Sequence, residues 1–224
     1  MFDGSAYSLS GNGAYVAGRN CSIVVGNVIP IPPANGGGCL TNGPFKDMIV
    51  NLGPLSTAIA GINPNPQPNG LGYNPRCVKR DIGNYVSRKW GRTIDIAELI
   101  LLHDDIGSFQ SYMQGDFPNG FLGVHSAGHF TIAGDPGGDL FASPGDPAFW
   151  VHHAMIDRVW WIWQSLDLSS RVETIAATIT INNTPPSRNG TLDDTLNLGV
   201  IAPTDVKLRE LMSTVNGPFC YLYL

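Results

Sequence analysis

The sequence is poor in charge, in cysteine and in long apolar runs, and each shortage excludes a class of function. Charged residues make up 14% of the 224 residues, and the net charge of −5 comes without a basic stripe, which excludes a nucleic-acid-binding surface. No apolar run reaches the roughly 18 residues needed to cross a membrane. The cysteines form no C-x2-C pair, so nothing indicates a cysteine-ligated zinc site.

The distribution of residue types predicts how the chain is organised. With 43% hydrophobic residues, it is long enough to bury the core of a single domain. Glycine and proline clusters predict a loop-rich region over 1–76, and helical apolar spacing predicts a helical core over 80–166. Alternation at 175–181 and a capped amphipathic pattern at 204–212 predict a strand and a C-terminal helix within 170–224. We therefore expect a mainly α fold with long Gly/Pro-rich loops and a few short β-strands.

Histidine is scarce too, yet four of the five histidines fall between positions 125 and 153. His125 and His129 are four residues apart, so on a helix their rings lie on one face and reach a common point. Asp146 and Pro147 are typical of a helix start, and the apolar spacing that follows places His153 on the buried face. Three imidazoles without cysteine or carboxylate suit copper, zinc, iron or nickel. The sequence thus predicts a three-histidine metal site.

Other polar residues nearby have weaker claims to a role. Asp157 lies one turn after His153, where it either accepts a hydrogen bond from an imidazole or pairs with a basic neighbour. His152 points about 100° away from His153 on a helix, which favours packing or a structural hydrogen bond over metal binding. His103 is expected near a helix end, outside the site. The tryptophans that follow His153 are expected to form core contacts.

A long motif narrows the choice of metal. The segment Asp146-Pro-Ala-Phe-Trp-Val-His-His-Ala-Met-Ile-Asp157, continued by Arg158-Val-Trp-Trp-Ile-Trp-Gln164, closely resembles the second copper half-site, copper B, of tyrosinases, catechol oxidases and hemocyanins. Further segments are similar to ascomycete fungal members of this type-3 copper family, at positions 2–15, 123–136 and 218–223. Nearly the whole chain is covered, so the resemblance implies a helical tyrosinase-like core.

The resemblance also implies a cofactor, a reaction and a set of site residues. Copper is the implied metal, with His125, His129 and His153 as its ligands and no catalytic group beyond them. A small phenolic substrate and dioxygen are the implied partners, and an o-diphenol is oxidised to an o-quinone. Ser126 and Phe130 are expected to border the substrate pocket. Ser126 stands where tyrosinases often carry asparagine, which favours diphenol oxidation over monophenol hydroxylation.

The histidine count conflicts with a complete site of this type. The family's reaction uses two copper ions about 3 to 4 Å apart, each needing three imidazoles, and five histidines cannot supply both sets. No segment upstream of His125 resembles the copper A half, so we expect this chain to lack it. Besides the enzyme, the sequence therefore allows a non-catalytic single-copper half-domain, or a truncated fragment that is inactive without a copper A half. A separate copper A-bearing chain would then be the partner.

Cysteines and sequons give the only indications of compartment. The four cysteines allow two disulfides in three pairings, or free thiols, and they are Cys21, Cys39, Cys77 and Cys220. N-glycosylation sequons begin at Asn20, Asn182 and Asn189. Together these features favour an extracellular, secreted protein, although Met1 is not followed by a signal peptide.

Overall fold

Helices occupy the middle of the chain, and short strands lie on either side of them. The computed structural model describes residues 1–18, 21–25, 27–55, 62–202 and 204–224, so the sequon at Asn20 lies outside the described residues. The helices of the described chain are α1 (Tyr85–Trp90), α2 (Thr93–Leu102), α3 (Ile106–Gln114), α4 (Gly123–Ile132), α5 (Ala148–Ser165) and α6 (Leu168–Arg171). The expectation of a mainly helical fold with a few short strands is confirmed.

The described strands form four antiparallel pairs. They are β1 (Gly13–Tyr15), β2 (Cys21–Val25), β3 (Asn27–Ile31), β4 (Gly37–Leu40), β5 (Ile49–Val50), β6 (Arg76–Cys77), β7 (Thr195–Leu196) and β8 (Val206–Lys207). β1 pairs with β4, β2 with β3, β5 with β6 and β7 with β8. In the described part of the chain, no helix has both the length and the apolar character needed to cross a bilayer.

The chain divides into two compact units that are interleaved in sequence. One unit consists of Met1–Ile96 and Met113–Ile156, and the other of Ala97–Tyr112 and Asp157–Leu224. In the first unit, α4 packs against α1 over an apolar core. This core contains Ile29, Ile31, Val86, Trp90, Leu122, Ala127, Phe130 and Ala133. Burying one face of α4 in this way fixes which residues of α4 point elsewhere.

Two further features hold the loop-rich part of the first unit. A disulfide joins Cys39 of β4 to Cys77 of β6, whereas Cys220 is free and exposed. The guanidinium of Arg80 donates to both carboxylate oxygens of Asp146, at 2.9 and 2.6 Å, and both side chains are fully buried. Asp146 Oδ1 also accepts the N–H of Ala148, the first residue of α5, at 2.9 Å. The start of α5 is therefore fixed both by its cap and by a distant arginine.

The second unit has its own core and a bonded C-terminal segment. Trp163 is fully buried, stacks on Phe109 with ring centroids 4.7 Å apart, and donates its indole N–H to the carbonyl of His103. The tryptophans were expected in the core, and for Trp163 that is what the structure shows. The carboxylate of Asp157 accepts hydrogen bonds from the hydroxyls of Tyr221, at 2.8 Å, and Tyr223, at 2.5 Å.

Elements after α5 differ most from the sequence expectation. The strand expected at 175–181 is reduced to an isolated bridge between Thr178 and Asn189. The helix expected at 204–212 is replaced by β8 and a 3-10 turn, Leu208–Leu211. The physical reason is competition by local bonds: the N–H groups of Leu208 and Arg209 donate to the carbonyls of Asp194 and Leu192 and not to a preceding turn. Tertiary pairing here overrides a weak helical pattern.

Candidate metal centre

Four histidine rings meet between α4 and α5 in the first unit. α4 supplies His125 and His129 one turn apart, and α5 supplies His152 and His153 from its second turn. One nitrogen from each ring lies within 4.8 Å of one from every other ring. The expected i, i+4 pair and its third member are therefore brought together. In the described residues this is the one cluster of histidine, cysteine or carboxylate groups with such geometry.

Three of the rings turn the same nitrogen toward a common centre. His153 Nε2 lies 3.1 Å from His129 Nε2 and 3.4 Å from His125 Nε2. The ring of His153 is stacked on Phe149, with centroids 3.9 Å apart, which holds its plane. Two nitrogens bound to one ion at about 2.0–2.1 Å lie roughly 3 Å apart, so the spacing fits three ligands of a single metal ion.

Hydrogen bonds at the far side of the α4 rings determine which nitrogen is available. His129 Nδ1 lies 3.1 Å from the carbonyl oxygen of Gly137, and His125 Nδ1 lies 2.7 Å from Oε1 of Gln114. A carbonyl oxygen only accepts, so each Nδ1 carries the proton and each Nε2 keeps a free lone pair. Ligating histidines usually donate their other N–H in this way. The two rings are thus in the tautomer that metal binding at Nε2 requires.

The ring of His152 forms a hydrogen bond to the backbone. Its Nε2 lies 2.8 Å from the carbonyl oxygen of His125, so Nε2 donates a hydrogen bond to the backbone of α4. The ring rests directly on Gly128, where a Cβ atom would lie 2.1 Å from His152 Cε1. His152 therefore joins α5 to α4 through a backbone bond, as the favoured interpretation of the sequence expected.

Replacing Gly128 with alanine tests this contact. The added methyl overlaps the His152 ring, so we expect the ring to be displaced, its bond to His125 to be lost, and the protein to be destabilised by about 1–3 kcal/mol. Urea unfolding of the variant and the parent protein measures the difference. Gly190→Ala is the matched control, because its Cβ meets only ordinary contacts from 3.6 Å outward. Equal destabilisation by both changes would contradict a specific role for the Gly128 contact.

Burial keeps the imidazoles neutral. It lowers the pKa of His125 to about 3, with a further contribution from the neighbouring His129. It lowers the pKa of His152 to about 4, and the pKa values of His129 and His153 fall for the same reason. The Gly137 carbonyl partly offsets this effect at His129. All four rings are therefore neutral near pH 7, and the neutral imidazole is the form that binds a metal ion.

These pKa values predict how the stability of the chelator-treated protein depends on pH. Between pH 6.5 and about 4 the unfolded chain protonates His125 and His152, and the folded chain does not. The contribution of these two histidines to the free energy of unfolding is therefore expected to be fully present above pH 6.5 and to be lost as the pH is lowered toward 4. Urea midpoints at pH 7, 6 and 5 measure the slope. His152→Gln should flatten it, and an unchanged slope in that variant would refute the assignment.

The remaining predicted site residues lie in other surroundings. Asp157 belongs to the second unit, where its carboxylate accepts from two tyrosine hydroxyls. Ser126 is buried and donates its hydroxyl to the carbonyl of Gln114 at 3.0 Å. Phe130 lies within the apolar core of the first unit. His103 follows the last residue of α2, at the helix end where it was expected. The roles proposed for Asp157, Ser126 and Phe130 stay predictions.

Two partners of the site were missed by sequence reasoning. Gln114 precedes His125 by eleven positions, and the Gly137 carbonyl follows His129 after a sharp loop. Glutamine has no ligand signature, and a backbone carbonyl leaves no mark in the sequence at all. Only the loop glycines give a local signal: Gly134 has φ +86, and a Cβ there would lie 2.2 Å from the Lys79 carbonyl oxygen.

A protein-family model identifies the family of the chain, which the geometry of the site leaves open. Residues 1–166 match the model described as the common central domain of tyrosinase. The chain belongs to the tyrosinase family. This confirms the resemblance drawn from the Asp146–Asp157 segment and, with it, copper as the cofactor of the family. The donor set fits, because three neutral imidazoles whose ligand nitrogens lie within 4.8 Å of one another are suitable ligands for copper.

Individual relatives are fungal proteins. The chain is 39% identical over 194 residues to the tyrosinase-like protein orsC of Emericella nidulans, covering 82% of this chain and 50% of that one. It is 36% identical over 228 residues to tyrosinase P of Aspergillus terreus, covering 100% and 63%. It is 33% identical to the N-acetyl-6-hydroxytryptophan oxidase ivoB of Emericella nidulans, covering 98% and 61%. The chain thus spans only half to about two thirds of the length of these relatives.

A solved structure shows the same fold. A polyphenol oxidase variant from Thermothelomyces thermophila superimposes with a TM-score of 0.90 at 41% sequence identity, over 100% of this chain and 61% of that one. The helical tyrosinase-like core is therefore confirmed. Nothing among these relatives supports the separate copper A-bearing chain that the histidine count suggested.

Proposed function

We propose that this chain acts in a copper-dependent oxidoreductase of the tyrosinase family, which oxidises o-diphenols to o-quinones with dioxygen. The observation that carries the proposal is the convergence of three Nε2 atoms: His153 Nε2 lies 3.1 Å from His129 Nε2 and 3.4 Å from His125 Nε2. Family membership supplies copper as the metal, and a polyphenol oxidase shares the fold.

In this proposal the chain's own residues bind the copper ion and orient the imidazole rings that hold it. His125, His129 and His153 would hold one copper ion through Nε2. Copper, when bound, supplies the redox chemistry that transfers electrons from the phenol to dioxygen. The overall reaction balances as two o-diphenols and one dioxygen giving two o-quinones and two waters. Gln114 and the Gly137 carbonyl keep two ring protons away from the metal side, at Nδ1 of His125 and His129. His152 ties the two ligand-bearing helices together.

One observation favours a second candidate, a single-copper half-domain that does not turn substrate over. Among the described residues, one cluster has metal-ligand geometry, and it offers three convergent Nε2 atoms and a fourth ring bonded to the backbone. That set suits one ion. The first candidate predicts oxidation of an o-diphenol, and the second predicts one copper ion per chain without turnover.

Copper content and catechol oxidation, measured on the same sample, separate these candidates. If this chain alone is the enzyme, the copper-loaded protein takes up dioxygen when catechol is added, and the uptake is lost on chelation and restored by copper. Elemental analysis gives copper per chain, and His153→Ala provides the metal-site control. One copper per chain without dioxygen uptake would reject the enzyme and favour the half-domain. Absence of stoichiometric copper would reject both.

We also propose that the protein works outside the cell. The disulfide between Cys39 and Cys77 supports this, since such bonds persist in oxidising compartments, and the sequons at Asn182 and Asn189 lie on exposed residues. Mass spectrometry of protein from its native source, before and after glycosidase treatment, tests the proposal. A cell-associated protein with neither glycan nor disulfide would contradict it.

A further inference from the structure

The ligand ring of His125 is bonded to a side chain that no sequence signal pointed to. Gln114, the last residue of α3, places Oε1 2.7 Å from His125 Nδ1. His125 Nε2, on the opposite side of the ring, lies 3.4 Å from His153 Nε2. In the described residues, Gln114 is the only non-histidine side chain hydrogen-bonded to a ligand ring. The other bond of this kind, at His129, goes to the Gly137 backbone, which no substitution removes.

The identity of the acceptor decides which tautomer His125 adopts. With the amide oxygen toward the ring, Nδ1 carries the proton and Nε2 is a bare lone pair. If the amide nitrogen faced the ring, the proton would sit on Nε2 and point at the other ligands. Nε2 of His129 is unprotonated because its Nδ1 donates to a carbonyl. A ring nitrogen without its proton is what a metal ion needs, so the oxygen-inward arrangement is the productive one.

The backbone around Gln114 is itself fixed against α4. The buried hydroxyl of Ser126 donates to the Gln114 carbonyl at 3.0 Å, so two bonds link this residue to successive residues of α4. The Gln114 side chain, in contrast, is exposed. Removing its amide therefore leaves no internal cavity, and variants at this position are expected to fold.

We propose that Gln114 is a positioning residue: its amide oxygen selects the Nδ1-protonated tautomer of His125 and so orients Nε2 toward copper. The proposal rests on the proposed copper site for its function, but the tautomer is a property of the protein itself. Partners that orient metal ligands typically contribute about 10–100-fold to metal affinity. A water molecule that replaced the amide equally well would make Gln114 dispensable.

The test compares full-length wild type with Gln114→Leu, Gln114→Glu and Gln67→Leu. Gln67 is an exposed glutamine away from the histidines, so Gln67→Leu is the matched control. Nitrogen-15 NMR of chelator-treated, histidine-labelled protein distinguishes protonated from bare ring nitrogens, with His125 assigned through a His125→Asn sample. Copper affinity is measured separately by competition with a chelator of known affinity.

We expect Nδ1-protonated His125 in wild type, in Gln67→Leu and in Gln114→Glu, which keeps an acceptor oxygen. Gln114→Leu should show a mixture of tautomers and bind copper about 10–100-fold more weakly. Wild type protonated at Nε2, or a Gln114→Leu variant with unchanged tautomer and affinity, would overturn the proposal. If Gln114→Leu shifts the tautomer but wild type binds no copper, the proposed function fails while the orientation of His125 by Gln114 stands.

Discussion

His153→Ala is expected to abolish high-affinity copper binding. His153 Nε2 lies within 3.4 Å of the Nε2 atoms of both His125 and His129, whereas His152 Nε2 is bonded to the His125 carbonyl. Losing it leaves two ligands of three, so we expect copper affinity to fall by more than about 100-fold, beyond the range of residues that only orient ligands. Competition titration against a chelator measures the change.

The neighbouring histidine provides the control for this prediction. His152→Ala removes an imidazole of the same size from the adjacent position, yet its Nε2 is already donated to the His125 carbonyl. We expect copper affinity to change by about tenfold at most, with a loss of stability in place of a loss of metal. If His152→Ala lost copper and His153→Ala kept it, the ligand assignment would be refuted.

Arg80→Met is expected to destabilise the protein strongly. Among the described residues it removes the one cation paired with Asp146 and leaves a fully buried carboxylate, which typically costs about 3–5 kcal/mol. The hydrogen bonds from Arg80 to the carbonyls of Leu9 and Gly11 are lost as well. Because Asp146 accepts the N–H of Ala148 at the start of α5, we expect copper affinity to fall together with stability. Urea unfolding and copper titration on the same sample test both effects.

A double-mutant cycle shows whether the cost comes from the unpaired charge. Arg80→Met combined with Asp146→Asn should recover part of the stability, since the second change removes the buried negative charge left by the first. Arg209→Met, at an exposed ion pair with Asp193, is the surface control and should change stability little. Strictly additive effects of Arg80→Met and Asp146→Asn would contradict direct coupling between the two residues.

The clustering of the histidines could be predicted from sequence because their signals are local. The spacing of His125 and His129 is a helical turn, and Asp146 with Pro147 identifies the start of the helix that carries His153. The resemblance of the surrounding motif to copper B then indicated copper, whereas helical spacing alone does not distinguish one metal from another. Likewise the helices α1 to α5 lie within the helical core that apolar spacing predicts over 80–166.

The parts that could not be predicted depend on distant or backbone partners. The sequence indicated only a helix cap at Asp146, yet Arg80, 66 residues earlier, donates hydrogen bonds to the same carboxylate. The acceptors for His125 and His129 come from a glutamine and from a backbone carbonyl, neither of which has a sequence signature. The strand expected at 175–181 did not form because alternation predicts a buried face and not a partner strand; in the described chain the pairing stops at one bridge, between Thr178 and Asn189.

Every ring partner described at the candidate site belongs to one short stretch of chain, from Gln114 to His153. Closing such a stretch costs little chain entropy compared with bringing together distant segments. The clustered histidines therefore depend mainly on contacts within this stretch and less on pairing by the N-terminal loops. The segment from Gln114 to His153 could be transferred to another protein, provided that the host supplies a cation that pairs with Asp146 as Arg80 does.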